Sequence, residues 1–186
     1  SNAVTAWDVV AVDMDGDGDL DVVAAAASSN KISWYENGNN WNETIVSSNE
    51  SAVRSIVTID LDNDGDLDII SASQGHSTVA WFENGNSWAK TVISDSVSSV
   101  FDVEVYDLDG DGDFDVVASG FTDSQIEWYE NGNNWAAELV TATVNAPYNV
   151  AIGDLDGDGD GDVIVPSYGS ERLDWNQNQR ISVLEN

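Results

Sequence analysis

The sequence predicts an all-β protein, an array of four four-stranded antiparallel units. Three observations predict it. An acidic nine-residue loop recurs at 13–21, 60–68, 107–115 and 154–162, always 47 residues apart. A short apolar run stands on each side of every loop. A Trp-aromatic-Glu-Asn-Gly turn recurs in three of the units with the same spacing. A fixed period of roughly 20–50 residues marks a repeat architecture, and no segment carries a helical apolar period.

The elements follow in order within each unit. The apolar-rich segments 8–12, 55–59, 102–106 and 149–153 enter the loops and read as short, mostly buried strands. The runs 22–26, 69–73, 116–119 and 163–165 leave them, with small residues suited to tight sheet packing. The third strands open the segments 31–41 (KISWYENGNNW), 79–88 (VAWFENGNSW) and 126–135 (IEWYENGNNW). Asn-Gly tolerates positive φ and signals a hairpin turn. The fourth strands are 43–46, 90–93 and 138–140.

The last unit departs from this pattern. Trp175 is in register with Trp34, Trp81 and Trp128, but Asn176-Gln177-Asn178-Gln179 replaces the turn, and 180–186 resembles 31–37. Either the third strand is 172–177 and a fourth follows, or the second strand runs on through Trp175 and the chain stops after the third. The second reading is preferred, and it leaves an outer edge that needs cover.

The loops carry the chemistry. They read DMDGDGDLD, DLDNDGDLD, DLDGDGDFD and DLDGDGDGD. Carboxylates at alternating positions around a Gly turn are hard oxygen donors, the ligand set of Ca2+. Side chains at positions one, three, five and nine converge on one ion in this reading: Asp13, Asp15, Asp17 and Asp21; Asp60, Asp62, Asp64 and Asp68; Asp107, Asp109, Asp111 and Asp115; Asp154, Asp156, Asp158 and Asp162. Position seven (Asp19, Asp66, Asp113, Asp160) offers its carbonyl and turns its side chain to solvent. Gly18, Gly65, Gly112 and Gly159 make the sharp turn at position six. At position eight, Leu20, Leu67 and Phe114 anchor the loop in the core, whereas Gly161 lacks an anchor and predicts a looser fourth loop. About four Ca2+ ions, one per loop and mainly structural, are expected. The pattern is not an EF-hand, because no Glu stands at position twelve and no helices flank the loops.

Composition bounds the rest. Among 186 residues, 35 are acidic and 5 basic, a net charge of −30, and the loops hold 20 of the acids. Such a field disfavours nucleic acid and anionic membranes as partners. With 41% hydrophobic residues the chain is not a disordered acidic tail. The absence of cysteine excludes disulfides and thiolate zinc sites. No apolar run approaches the roughly 18 residues of a membrane span. Residues 1–3 (Ser-Asn-Ala) read as a tag scar, and 4–186 as one domain with units near 4–50, 51–97, 98–144 and 145–186. Weak Ca2+ loops suit millimolar extracellular calcium, so a secreted or cell-surface bacterial protein is expected.

Four-stranded units of this length in series describe propeller blades. The loops and the aromatic-Glu-Asn-Gly turns together resemble the FG-GAP or VCBS blades of integrin-alpha-type β-propellers. The resemblance covers nearly the whole chain and implies a Ca2+-holding loop between the first two strands of each blade. It also implies a binding or adhesion module, with a carbohydrate-binding module or lectin, and then a polysaccharide-degrading enzyme, as the competing readings. No catalytic residue stands out, and His76, the only histidine, reads as a surface loop residue. One register position holds Trp7, Arg54, Phe101 and Tyr148, just before the first strands. These residues either pack between blades or form a glycan-stacking or protein-binding surface. Trp34, Trp81, Trp128 and Trp175 read as inter-blade core. A protein or glycan partner is expected, and three arrangements are open to four blades: closure alone, membership of a larger ring, or pairing with a second copy into eight.

Overall fold

A computed structural model describes residues 5–170 and 172–177. The chain is all-β, with two short 3-10 turns and three four-stranded antiparallel sheets followed by a three-stranded one. The first sheet holds β1 (Ala6–Val12), β2 (Asp21–Ala26), β3 (Lys31–Tyr35) and β4 (Glu43–Ser47) in sequence order. The second holds β5 (Val53–Ile59), β6 (Asp68–Ser73), β7 (Thr78–Glu83) and β8 (Ala89–Ser94). The third holds β9 (Val100–Tyr106), β10 (Asp115–Gly120), β11 (Gln125–Glu130) and β12 (Ala136–Thr141). The last contains β13 (Ala151–Gly153), β14 (Asp162–Ser167) and β15 (Arg172–Asn176). Each sheet is a blade, and among the described residues the blades do not close into a ring.

The fourth blade corrects the preferred reading of its strands. The second strand does not run on through Trp175. It stops at Ser167, a 3-10 turn occupies Tyr168–Ser170, and Trp175 lies on a separate third strand opposite Ile164. Gly169 lies close against Asn145, whose side chain would stand 2.6 Å from an added Cβ. The segment that resembles 31–37 lies outside the described residues.

Three apolar clusters form between successive blades. One joins Met14, Val23 and Ile32 of the first blade to Ile56, Ile69 and Phe82 of the second. Another joins Leu61, Ile70 and Val79 to Val103, Val116 and Tyr129. The last joins Leu108, Val117 and Ile126 to Val150, Val163 and Val165. Burial along the second strands reports this stacking. Strands β6 and β10 are buried at every position, because a blade covers each face. Strand β2 alternates buried and half-buried, because only one face is covered.

Candidate functional site

Each acidic loop is knotted by its own carboxylates. Asp13 accepts the N–H of Gly16 on Oδ1 (2.8 Å) and of Gly18 on Oδ2 (3.0 Å). Asp107 and Asp154 repeat both bonds with Gly110, Gly112, Gly157 and Gly159. Asp60 takes Asp64 and Gly65 instead, in the loop that has Asn63 at position four. Asp15, Asp62, Asp109 and Asp156 each accept the N–H two residues on. These bonds need the left-handed backbone that Gly18, Gly65, Gly112 and Gly159 supply, with φ between +96° and +101°.

The ninth Asp closes the loop from below. Oδ2 of Asp21, Asp68, Asp115 and Asp162 accepts the N–H of Met14, Leu61, Leu108 and Leu155. In three blades Oδ1 accepts the N–H of the turn Asn: Asn37 to Asp21 (2.7 Å), Asn84 to Asp68 (2.8 Å) and Asn131 to Asp115 (2.9 Å). The Trp34 indole N–H also reaches Asp21 Oδ2 at 3.0 Å. The two sequence signatures are therefore one device: the Glu-Asn-Gly turn of the third strand holds the acidic loop. Within the turn Glu36, Glu83 and Glu130 accept from Asn39, Asn86 and Asn133, which fixes its shape. In the last blade the Gln177 amide donates to Asp156.

Carboxylate oxygens converge in all four loops. Asp13, Asp15 and Asp17, and likewise Asp60, Asp62 and Asp64, bring ligand atoms within 4.8 Å of one another. Asp107, Asp109 and Asp115, and likewise Asp154, Asp156 and Asp162, do the same. Positions one and three thus take part everywhere, with position five in the first two loops and position nine in the last two. The side chains of Asp19, Asp66, Asp113 and Asp160 join none of these groups. Asp160 departs from the expectation that position seven faces solvent: it is buried, and its Oδ1 finds no hydrogen-bond donor among the described residues. All-oxygen anionic clusters of this kind fit a metal ion.

The electrostatics agree with that fit. Asp15, Asp62, Asp109 and Asp156 titrate above the ordinary carboxylate range, first through local desolvation and then through neighbouring loop carboxylates. Burial pushes Asp68 and Asp115 up to about 6 against the pull of their backbone donors. Without a cation the loops hold mutually repelling charge in place.

Two anchoring expectations change. Leu20 is exposed, whereas Leu67 and Phe114 pack against the preceding blade. Among the described residues no blade covers Leu20. Position two anchors the first three loops, where Met14, Leu61 and Leu108 are buried, while Leu155 is half exposed. The signal was the large apolar residue, Met or Leu, that recurs there. At Gly161 the anchor's place is taken by Tyr106 of the third blade, whose Cε1 would lie 2.4 Å from an added Cβ. The gap is filled from outside rather than left loose.

The second candidate surface also assembles. Trp7, Arg54 and Phe101 lie inside β1, β5 and β9 rather than before them, and each is the extra residue where the register of its strand pair shifts. Such a bulge re-aims one side chain. The Arg54 guanidinium sits 3.9 Å from the Trp7 ring centroid and 5.3 Å from that of Phe101. Phe101, Phe121 and Tyr148 cluster edge-to-face and tilted, with ring centroids 4.7–5.1 Å apart. Four sequence-register pairs, Trp7-Asp8, Arg54-Ser55, Phe101-Asp102 and Tyr148-Asn149, line one open cavity of about 260 Å³ where the first strands converge. Arg54 binds Gln74 through Nε and keeps a buried Nη1 without a partner among the described residues. His76 is exposed in a turn, away from any such group. Trp34 and Trp81 pack in the inter-blade clusters and Trp128 is buried there. Trp175 is half exposed and is not core, since no further blade covers it among the described residues.

The sequence profile of the FG-GAP-like repeat family matches residues 13–71, 60–118 and 107–165. No curated protein matches the chain. Among solved structures it is similar to the biofilm matrix protein Bap1 of V. cholerae, with TM-score 0.62 and 22% identity over 90% of this chain and 26% of that one. It is also similar to virginiamycin B lyase of Staphylococcus aureus, with TM-score 0.61 and 10% identity over 92% and 55%. A third is an auxiliary nutrient binding protein of Bacteroides thetaiotaomicron, with TM-score 0.60 and 6% identity over 85% and 46%. The chain thus spans from about a quarter to just over half of these proteins.

Proposed function

The chain belongs to the FG-GAP-like repeat family, and on that premise we propose that it is a calcium-dependent, non-catalytic binding module of a secreted or surface-displayed protein. The observation that carries the reading is the fourfold convergence of Asp carboxylates in loops held by the adjoining turns. Asp13, Asp15, Asp17 and Asp21, and their counterparts in the other three blades, would hold Ca2+ together with the carbonyls of position seven. The ion would supply two positive charges to each crowded loop, lowering the net charge from −30 to −22 with four sites filled. That neutralisation rigidifies the rim of every blade, and a blade face meets the partner.

Occurrence of the loop in every blade supports scaffolding over catalysis, since an enzyme places its acids once. Among the described residues no helix is long and apolar enough to cross a membrane. Two structural neighbours, a biofilm matrix protein and a nutrient binding protein, accord with a role outside the cell. The lyase neighbour keeps an enzymatic reading open to test.

Thermal unfolding followed by circular dichroism, in chelator and then in millimolar Ca2+, tests the calcium reading. A rise in midpoint that chelator reverses and Mg2+ does not reproduce supports it. An unchanged midpoint ends it.

A second reading, glycan binding, is favoured by the cavity of Trp7, Arg54, Phe101 and Tyr148. Aromatic faces stack on sugars, and the Arg54 guanidinium has donors to give. Glycan-array binding that Trp7→Ala abolishes supports it, and binding to protein ligands that Trp7→Ala leaves intact opposes it.

A further inference from the structure

The repeat supplies its own control for what each blade face needs. Val9, Ile56, Val103 and Val150 occupy one register position on the first strands. Ile56, Val103 and Val150 are 3% exposed or less, beneath the preceding blade, and Val9 is 62% exposed. Leu20 and Trp41 share that face and are also exposed, while their counterparts Leu67 and Trp88 pack in the cluster between the first two blades. The far face of the fourth blade shows the converse. Ile32, Val79 and Ile126 are wholly buried beneath the following blade, and their counterpart Leu173 is 67% exposed. Leu155 and Trp175 on that face are half exposed, whereas Met14, Leu61 and Leu108 at the position of Leu155 are buried.

The two open faces are therefore the two halves of the contact that the chain makes three times internally. The first blade presents the half that lies beneath a preceding blade, and the fourth presents the half that a following blade covers. Strand β2 is apolar on both faces (Val22, Val23, Ala24, Ala25, Ala26), as a strand covered on both sides is, yet one side is open. A polar bond accompanies two of the three internal contacts: Asp8 accepts the N–H of Ile56 and Asp102 that of Val150, both at 2.9 Å. On the open faces Asn149 occupies that register position, whereas the Val9 N–H is held by its own Asp8 at 2.8 Å, so the proposed contact is apolar.

We propose that the open face of the first blade docks on the open face of the fourth blade of a second copy of this chain. The contact is head-to-tail. Made twice between two copies it closes a ring of eight blades, at the upper end of the usual range of about 4–8, and a third copy would exceed that range. An isologous pairing of two first-blade faces would instead meet like with like and leave both fourth-blade faces open.

Light scattering after size exclusion in millimolar Ca2+ tests this. A mass twice the 20.0 kDa of one chain is expected. Val9→Asp and Leu173→Asp should each give monomers, since each damages both contacts of the ring. An equimolar mixture of the two variants should recover dimer, because the mixed pair has one undamaged contact and one that carries both changes. Leu20→Lys and Trp175→Glu repeat the two arms at independent positions, and an unchanged circular dichroism spectrum confirms that each variant is folded. A monomeric wild type overturns the proposal and assigns the faces to other chains or further blades. A dimer that survives either substitution, or that mixing fails to recover, overturns the head-to-tail arrangement.

Discussion

The backbone N–H of Asn131 donates to Oδ1 of Asp115 at 2.9 Å, joining the turn after β11 to the last residue of the third acidic loop. Gly132, the next residue, adopts φ +79°, with open space where a Cβ would stand. Gly132→Val therefore introduces backbone strain alone, about 1–2 kcal/mol. It should lower the thermal midpoint and weaken one calcium site, although it removes no carboxylate. Calorimetric titration should show one of four sites weakened and three unchanged.

Removing a knot inside a loop has a different signature. Asp13 holds Gly16 and Gly18 with its two oxygens, and Asp13→Ala frees both N–H groups and removes a ligand. Calcium stoichiometry should fall from four to three. At roughly 1–10 times the dissociation constant the lost site is worth about 0.4–1.4 kcal/mol, so calcium should stabilise this variant less than the wild type.

Gly161 invites a misleading repair. The repeat has Leu or Phe there in the other blades, yet Gly161→Leu should destabilise by about 1–3 kcal/mol through overpacking, because Tyr106 fills the space. Adding Tyr106→Ala should recover part of the loss. Denaturant melts of the two variants check both directions.

Glu50 is buried between the first two blades and accepts from Lys90 (2.8 and 2.9 Å), Ser47 (2.9 Å) and Ser73 (3.1 Å). At the same register position the next two blades place Val97 and Val144, both buried. Lys90→Ala alone leaves a buried charge without its cation and should cost about 3–5 kcal/mol. Glu50→Val with Lys90→Ala adopts the apolar solution of the next contact, where Val97 and Ala137 stand at the register positions of Glu50 and Lys90. That double variant should be near wild type in stability, as measured by chemical denaturation.

Asp102 gives a pH dependence outside the loops. Desolvation raises its carboxyl above the usual range, with Asp8 adding to the rise and the bonds from Val150, Ser55 and Val103 opposing it. The folded chain therefore holds this proton more tightly than the unfolded one. Asp102 carries no penalty below its ordinary value of 3.8. Stability falls as pH rises from there through the raised value. In saturating calcium, the midpoint of Asp102→Asn relative to wild type should rise between pH 4 and pH 7. A flat difference would contradict the assignment.

The sequence by itself determined the repeat, the order of strands within a blade, and the acidic loops with their Gly turns. These are local matters: the 47-residue period, alternating carboxylates and residues tolerant of positive φ are written along the chain. Tertiary structure alone decided what depends on a neighbouring blade. Leu20 and Leu67 read alike, but only Leu67 has a blade to pack against. Trp175 is in register with three buried or half-buried tryptophans and is half exposed for the same reason. The bond from Asn37 to Asp21 spans 16 residues and joins two motifs that looked independent. Trp7, Arg54, Phe101 and Tyr148 meet only because bulges in three of the first strands aim their side chains at one cavity. A pattern along a chain fixes which face of a strand is apolar; whether something covers that face is settled by the whole assembly.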